Sequence, residues 1–324
     1  MAITDLGYGI SCIDTEYQRS GLAACYLIRE GDRLAFVDTG TARAAPILLD
    51  ALTAMGLGPE QVDFVIPTHV HLDHAGGAGE IMAACPGARL VAHPNAAPHL
   101  IDPAKLTAGA TAVYGAEAFE RDFGRITPVA ADRVLVAHDG TEIHLDGRTL
   151  TFVDTPGHAN HHGCVFDSRS RGIFTGDTFG IAYKDLGTPR GPTLFAPTTP
   201  VAFDPDAWQV SLSKIMAFAP RVAYLTHFCE LDEPSAHVDT LRRSVEAFAD
   251  IALAVEGIAA EERQEHLRAA VDAHLLGRCR ENGCQLSDER IRALLSVDIE
   301  LNAQGLGVWL QRRAKAAARA ASSG

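Results

Sequence analysis

The sequence predicts an α/β fold in which two β-sheets stack as a sandwich flanked by helices, followed by a C-terminal helical extension. Strand and helix patterns alternate between residues 22 and 92, and five short strand patterns follow between residues 133 and 175. Beyond residue 235, apolar residues recur at helical spacing. Two strand-rich halves suit a two-sheet sandwich, so we predict a first domain over residues 1–230 and an extension over residues 231–324.

The individual elements follow from apolar runs and from the residues that end them. Residues 62–66 form a buried strand that Pro67 ends, and a glycine-rich turn over residues 76–79 opens a helix that runs to residue 85. The other predicted strands cover residues 22–29, 34–38, 89–92, 133–137, 141–145, 150–154, 163–167, 172–175 and 221–226. The other predicted helices cover residues 44–55, 94–124 (irregular), 206–218, 235–255, 260–276 and 287–315.

The loop after the strand at residues 62–66 carries an unusual density of metal-binding side chains. It reads His69, Val70, His71, Leu72, Asp73, His74. Neutral imidazole nitrogens and carboxylate oxygens hold zinc and similar divalent ions, and a catalytic site leaves one position open for water or substrate. Core packing alone would not place three imidazoles and a carboxylate within six residues.

The spacing within this loop predicts how its side chains are oriented. His69 and His71 are two apart in an extended segment, so their side chains point to one side and can share an ion. Asp73 and His74 fall where the chain turns, and they can face a second ion. One short loop can therefore serve two metals.

Three further candidate ligands lie far along the chain. They are His158 in a Thr-Pro-Gly-His segment, Asp177 in Thr-Gly-Asp, and His227 in Leu-Thr-His. Each follows an apolar, β-branched or aromatic run, so all three are predicted at strand ends. Taken alone, Asp177 or His227 would be a turn carboxylate or a core imidazole, but beside the histidine-rich loop they read as ligands.

These motifs together resemble the metallo-β-lactamase-fold hydrolases. The match comprises the Thr68–Gly77 string, the Thr-Pro-Gly-His segment, the Thr-Gly-Asp segment and His227, with an early strand that ends in Asp38-Thr39-Gly40. The resemblance implies an αββα sandwich of two mixed sheets. It also implies that two divalent metal ions are held by seven ligands: the first ion by His69, His71 and His158, the second by Asp73, His74 and His227, with Asp177 bridging them.

The resemblance implies the chemistry of a metal-dependent hydrolase. Zinc is the expected metal, with iron or manganese as alternatives, and a hydroxide bridging the two ions would be the nucleophile. Asp73 would orient that hydroxide and pass its proton to the leaving group. The chain contains no Gly-x-Ser-x-Gly elbow and no glycine-rich phosphate loop ending in Lys-Ser or Lys-Thr, so the pattern favours metal-activated water over a serine nucleophile.

Several other residues have candidate roles in support of this site. Asp38 resembles a residue that braces the metal loop from behind, although it could be an ordinary turn former. His162 could donate to a ligand or lie on the surface. Tyr183 could hydrogen-bond a substrate carbonyl, as tyrosines do in some similar lactonases, or be a half-buried loop residue. The proline-rich loop over residues 179–203 is predicted to line the substrate pocket.

Composition narrows the class of partner. The formal charge is −13, from 28 Lys and Arg against 41 Asp and Glu, which is unfavourable for a phosphate backbone; we expect a small-molecule substrate and no nucleic acid. No apolar run approaches the roughly 18 residues of a membrane span, and no signal sequence is recognised. Seven scattered cysteines suit reduced thiols in the cytoplasm. The helical extension could shape the pocket, form a homo-oligomer interface or pack on the sandwich.

The substrate is less constrained than the metal chemistry. The first motifs look like glyoxalase II, but that enzyme carries its last ligand in a Gly-His-Glu-Tyr-like context, whereas His227 here lies in Thr-His-Phe-Cys. Hydrolysis of a small ester-like bond, thioester or lactone, is the leading hypothesis. The alternatives are an iron-dependent persulfide dioxygenase, a phosphodiesterase or β-lactamase on the same ligands, and a non-enzymatic binding module.

Overall fold

The computed structural model describes residues 2–322, which form two mixed β-sheets with helices around them. The first sheet holds seven strands in chain order, antiparallel from β1 to β4 and parallel from β4 to β7. Its strands are β1 Ile3–Asp5, β2 Ile10–Asp14, β3 Ala24–Glu30, β4 Arg33–Val37, β5 Val62–Ile66, β6 Arg89–Ala92 and β7 Val134–Val136.

The second sheet holds six strands in the order β13-β12-β11-β10-β9-β8. All its pairs are antiparallel except the pair of β11 and β12, which is parallel. Its strands are β8 Glu142–Leu145, β9 Arg148–Asp154, β10 Gly163–Asp167, β11 Gly172–Gly176, β12 Val222–Leu225 and β13 Cys229–Asp232. The predicted fold class, two mixed sheets flanked by helices, is confirmed.

Eleven α-helices lie among the described residues. They are α1 Ala45–Ala54, α2 Leu72–Ala75, α3 Ala78–Ala84, α4 Ala97–Ile101, α5 Ala104–Tyr114, α6 Ala116–Asp122, α7 Pro205–Ala217, α8 Pro234–Ala254, α9 Ala260–Glu281, α10 Asp288–Leu294 and α11 Ser296–Ser322. Within residues 2–322, no helix is both long enough and apolar enough to cross a membrane.

The chain forms two compact units. The first comprises residues 1–155, 161–176 and 214–234 and contains both sheets and helices α1 to α6. The second comprises residues 156–160, 177–213 and 235–324, with most of α7 and all of α8 to α11. The predicted boundary at residues 230/231 stays a prediction.

Alternation along β3 shows how the first unit builds its core. Ala24, Tyr26 and Ile28 face a cluster shared with the second sheet. Cys25 and Leu27 face the opposite way, into a cluster with the apolar residues of α1, α3 and α4. Because successive strand side chains point to opposite faces, one continuously apolar strand is buried on both sides.

Some elements differ from the sequence-based prediction. Strands β1, β2 and β13 and the single-turn helix α2 are not predicted. The helix predicted over residues 287–315 is two helices, α10 and α11, divided at Leu295. Leu295 has φ −102° and ψ 10°, outside the α-helical region, and this residue ends α10 before α11 begins.

Candidate metal centre

The histidine-rich loop connects β5 to helix α2 in the first unit. Pro67 follows the strand, and His69 is fully buried next to it. His71 is the residue before α2, with extended backbone, so the helix begins between the two halves of the motif. The ring centroids of His69 and His71 are 4.5 Å apart, which agrees with the prediction that these two side chains point to one side.

The carboxylate of Asp38 accepts several hydrogen bonds behind this loop. It accepts hydrogen bonds from the backbone N–H of Thr68 at 2.7 Å and from Nδ1 of His74 at 2.8 Å. The hydroxyls of Thr68 and Thr226 donate to it as well, at 2.9 and 2.8 Å. Asp38 is almost completely buried and has φ +58°, a conformation that Asp tolerates better than most residues. The bracing role expected of Asp38 is confirmed.

Asp73, His74 and His227 converge within the first unit. One donor atom from each lies within 4.8 Å of the other two. The Oδ2 atom of Asp73 is 3.7 Å from Nε2 of His74 and 3.3 Å from Nε2 of His227. Two ligands of a tetrahedral ion with bonds of about 2.0–2.1 Å are separated by about 3.3 Å, so this donor set fits a divalent ion.

His227 is delivered by the end of β12. Its Nδ1 atom donates to the carbonyl oxygen of Leu22 at 2.6 Å, which fixes the ring. Thr226, directly before it, donates to Asp38. The pairs Thr68-His69 and Thr226-His227 therefore share one arrangement, in which a ligand candidate follows a threonine anchored on the same carboxylate.

His158 and Asp177 meet in the second unit. The Nε2 atom of His158 is 3.3 Å from Oδ2 of Asp177, again the spacing of two ligands on one ion. The Nδ1 atom of His158 donates to the carbonyl oxygen of Pro197 at 2.8 Å. Its ring packs edge-on against Trp208, with centroids 5.7 Å apart, and both residues are buried.

The acceptors around these histidines decide their tautomers. His74, His158 and His227 each place Nδ1 against a carboxylate or carbonyl oxygen, which can only accept a hydrogen bond. Each ring therefore carries its proton on Nδ1 and keeps a lone pair on Nε2. This is the form that binds metals, oriented by a partner on the other nitrogen.

The remaining candidates are placed as follows. His162 is buried, its Nδ1 atom lies 2.9 Å from Thr155 Oγ1 and its ring centroid lies 4.8 Å from that of His69, so the surface alternative is wrong. Tyr183 is buried rather than half-buried, and its hydroxyl donates to Asp298 at 3.1 Å. Its substrate role stays a prediction.

His93 lies outside the candidate ligand set and makes a structural contact. His93 is buried, and its Nε2 atom is 3.1 Å from Asp154. Burial lowers the pKa of His93, and the carboxylate of Asp154 opposes that shift. All seven cysteines are buried and free.

Sequence comparison places this site in a known group. Residues 20–227 match the sequence model of the metallo-β-lactamase superfamily. The lactamase-like protein adaB of Aspergillus niger is 30% identical over 169 residues, which are 50% of this chain and 42% of that protein. The chain thus spans less than half the length of that relative.

Several relatives are named as thioesterases. The atrochrysone carboxyl ACP thioesterase of Aspergillus fumigatus is 26% identical over 240 residues, 74% of this chain and 61% of its own length. The acyl-coenzyme A thioesterase MBLAC2 of Gallus gallus is 28% identical over 190 residues, covering 53% of this chain and 63% of that protein.

Two solved structures share the fold over nearly the whole chain. The family protein TTHA1429 from Thermus thermophilus superposes with a TM-score of 0.65 at 20% identity, covering 96% of this chain and 95% of the other. The archaeal superfamily protein ST1585 from Sulfolobus tokodaii gives a TM-score of 0.63 at 21% identity, covering 92% of this chain and 98% of the other.

Proposed function

Because the chain belongs to the metallo-β-lactamase superfamily, we propose that it is a metal-dependent hydrolase with a two-metal centre that cleaves small thioesters. The observation that carries the proposal is the convergence of Asp73, His74 and His227 at ligand spacing. Relatives named as thioesterases favour a thioester over a lactone, which remains the second candidate within the same hydrolase class.

We assign the ligands as the sequence motifs order them. His74 and His227 would bind one ion together with Asp73. By resemblance to the family, the other ion would be bound by His69, His71 and His158. Asp177 would bridge the two ions. Zinc suits these imidazole and carboxylate ligands.

The bound ions would activate water and polarise the carbonyl of the substrate. The residues of this chain provide orientation and proton transfer. Asp38 holds the His74 ring in the Nδ1-protonated form at 2.8 Å. Asp73 is the most accessible of the three clustered donors, with 22% of its side chain exposed against 0% for His74 and 4% for His227. Its carboxylate can therefore reach both the water and the leaving thiolate as a proton shuttle.

The cysteine side chains bear on the location of the protein. Seven buried free thiols are compatible with a reducing compartment, and we propose a cytoplasmic enzyme acting on a small-molecule substrate. Association of copies through the helical extension stays a prediction, to be checked by sedimentation.

A substrate panel tests the proposed activity. Metal-loaded protein is assayed on acyl-coenzyme A, a lactone, a β-lactam and an activated phosphodiester, and thioester hydrolysis is expected to be fastest. Asp73→Ala should lower kcat by about 10²–10⁴-fold, the range of a lost general acid–base group. Asp63→Ala is the matched control, since Asp63 is similarly accessible at 26% but pairs with Arg33 away from the cluster.

Three results would overturn the proposal. Faster hydrolysis of the lactone than of the thioester would favour the second candidate, a lactonase. Full hydrolysis by Asp73→Ala with its metals retained would remove the shuttle role. One tightly bound iron with sulfur-dependent oxygen uptake would replace the hydrolase with a persulfide dioxygenase.

A further inference from the structure

A groove of about 500 Å³ lies in the second unit. One wall is the segment from Phe203 to Asp206, and the other is helix α11 from Trp309 to Arg319. Its basic side chains are Arg312, Arg313, Lys315 and Arg319.

The sequence of α11 concentrates positive charge on this groove. Trp309, Arg312, Arg313, Ala316 and Arg319 recur at helical spacing and therefore share one face of the helix. The last twelve described residues of α11, 311–322, are exposed and include no Asp or Glu. In a chain with a net charge of −13, this local reversal of sign is a candidate anion site.

The opposite wall contributes both positive and negative charge to the groove. Helix α7 begins at Pro205, so the positive end of its dipole lies at the groove. Asp204 and Asp206 are the acidic groups there, and one oxygen of Asp204 already accepts the backbone N–H of Ala207 at 3.0 Å. Four cationic side chains thus line the groove with two carboxylates, and one of the four, Arg313, also pairs with Glu256 at 3.8 Å.

Aromatic rings form the floor of the groove. The rings of Phe203 and Trp309 meet edge to face with centroids 5.6 Å apart. The guanidinium of Arg313 lies 4.9 Å from the centre of the Trp309 ring. A cation held over an aromatic ring, beside further arginines, is suited to a ligand that combines phosphate groups with a flat base.

The groove is joined to the proposed metal ligand His158 within the same unit. Trp208 packs on His158 at 5.7 Å and on Phe203 at 6.0 Å. The backbone N–H of Asp204 donates to the carbonyl oxygen of Gly157, the residue before His158, at 2.8 Å. The groove is therefore connected to the loop that carries a metal ligand by one run of packed rings and one hydrogen bond.

We propose that this groove binds the phosphorylated nucleotide end of an acyl-coenzyme A substrate. Arg312, Arg313, Lys315 and Arg319 contact the phosphates, and the base packs beside Trp309. The acyl thioester at the other end of the long, flexible carrier is left free to extend toward the loop of His158. This inference rests on the proposed thioesterase function for its biological meaning, but nucleotide binding is measurable without catalysis.

Calorimetry with 3′-phosphoadenosine 5′-diphosphate as the probe tests the site directly. Affinity is expected to fall as salt is raised, since arginine–phosphate contacts are screened. Lys315→Glu combined with Arg319→Glu should weaken binding by about tenfold or more, a loss of about one decade in Kd. Arg89→Glu combined with Arg290→Glu changes the net charge equally at exposed positions outside the groove and should bind like the parent protein.

Kinetics separate the groove from the proposed function. The parent protein should show a lower KM for acyl-coenzyme A than for the same acyl-pantetheine, which lacks the nucleotide. In the groove variant, Lys315→Glu combined with Arg319→Glu, the KM for acyl-coenzyme A should rise toward the KM for acyl-pantetheine. Equal KM values, or unchanged probe affinity in the groove variant, would overturn the nucleotide site. Hydrolysis of an acyl carrier protein thioester without probe binding would do the same and indicate a protein partner.

If no thioester is hydrolysed while the probe still binds in a salt-dependent, groove-dependent way, the proposed function fails and the binding site stands.

Discussion

The Nδ1 atom of His158 lies 2.8 Å from the carbonyl oxygen of Pro197, and that carbonyl is held in place by helix α11. Thr198, the next residue, donates from its backbone N–H and, at 2.7 Å, from its hydroxyl to the side-chain oxygen of buried Asn302. The Asn302 amide in turn donates to the carbonyl of Asp298 at 2.7 Å. A helix far along the chain thus orients a proposed metal ligand through one backbone segment.

Asn302→Ala should therefore weaken metal binding. Without the Asn302 amide, the segment that carries the Pro197 carbonyl loses its support. The His158 ring then loses its fixed orientation. We expect metal affinity to fall by about tenfold, the lower end of the range for loss of a group that orients a ligand. Competition with a chelator, or the visible spectrum of the cobalt-loaded protein, measures the effect.

Asn282→Ala is the matched control, because Asn282 bonds the same loop at Gly191 and Thr193 instead. A purely structural role for Asn302 would lower the free energy of unfolding and leave metal affinity at the parent value, and that outcome would contradict the account.

Gly305→Ala tests the packing of the same contact. A Cβ at Gly305 would lie 1.6 Å from the carbonyl oxygen of Thr198, a backbone atom that cannot move alone. A Cβ at Gly307 would meet the side-chain ends of Gln264 and Leu267, at 3.2 and 3.6 Å. We expect Gly305→Ala to lower the free energy of unfolding by about 1–3 kcal/mol, as overpacking does. Gly307→Ala should have a smaller effect of either sign in the same denaturant titration, and equal losses would refute the contact.

Asp38→Asn should weaken the hydrogen bonds that hold the metal loop and leave the backbone conformation unchanged. Asn tolerates positive φ as Asp does, so the main loss is the negative charge that the His74 N–H and two threonine hydroxyls contact. Metal affinity should drop by about 10–100-fold. Asp146→Asn, at an exposed turn with φ +45°, is the control and should bind metal normally; a parallel loss in both variants would argue against a specific brace.

Asp167 makes stability depend on pH. Burial alone would raise the pKa of Asp167, but hydrogen bonds from Arg148 and Ser170 hold the pKa below its ordinary value. A carboxyl with a lowered folded-state pKa stabilises the fold at pH values above its unfolded pKa, and this contribution is lost as pH falls through the folded value. At neutral pH, Asp167→Asn should cost up to about 3–5 kcal/mol. It removes the carboxylate that pairs most closely with the buried Arg148 guanidinium, which keeps Glu30 at 3.8 Å.

The gap between parent and Asp167→Asn should be constant near neutral pH and narrow as the pH falls below the unfolded aspartate pKa of about 3.9. Urea titrations at several pH values measure it. The half-exposed pair of Arg33 and Asp63 gives the control, where Asp63→Asn should cost at most about 1 kcal/mol. A gap that does not change with pH would contradict the assignment.

Much of the fold was predictable because its central strands are apolar runs with clear ends. Strands β5, β6 and β10 coincide with their predicted ranges. In contrast, β1 is three residues long and partly exposed, and β2 follows Gly7 and Gly9, two glycines with positive φ. Their identity as strands comes from the pairing of β1 with β2 and of β2 with β3, which local sequence does not encode.

The candidate site also contains residues that the sequence predicts and residues that it does not. Ligand candidates were found because imidazoles and carboxylates have a recognisable chemistry and spacing, and the paired Thr-His segments before His69 and His227 are a signal that points to the shared brace at Asp38. The Pro197 carbonyl and Asn302 were missed. A backbone carbonyl has no sequence signature, and the Thr198–Asn302 contact joins residues 104 positions apart.

The central claim, that this donor set builds a two-metal hydrolase, is tested most directly by metal titration of stripped protein with acyl-coenzyme A hydrolysis followed in parallel. The account predicts that activity rises to a maximum at two equivalents of Zn²⁺ per chain and that His227→Ala binds only one equivalent tightly. Full activity in protein stripped of all metal, or a second equivalent that His227→Ala binds as tightly as the parent, would contradict it.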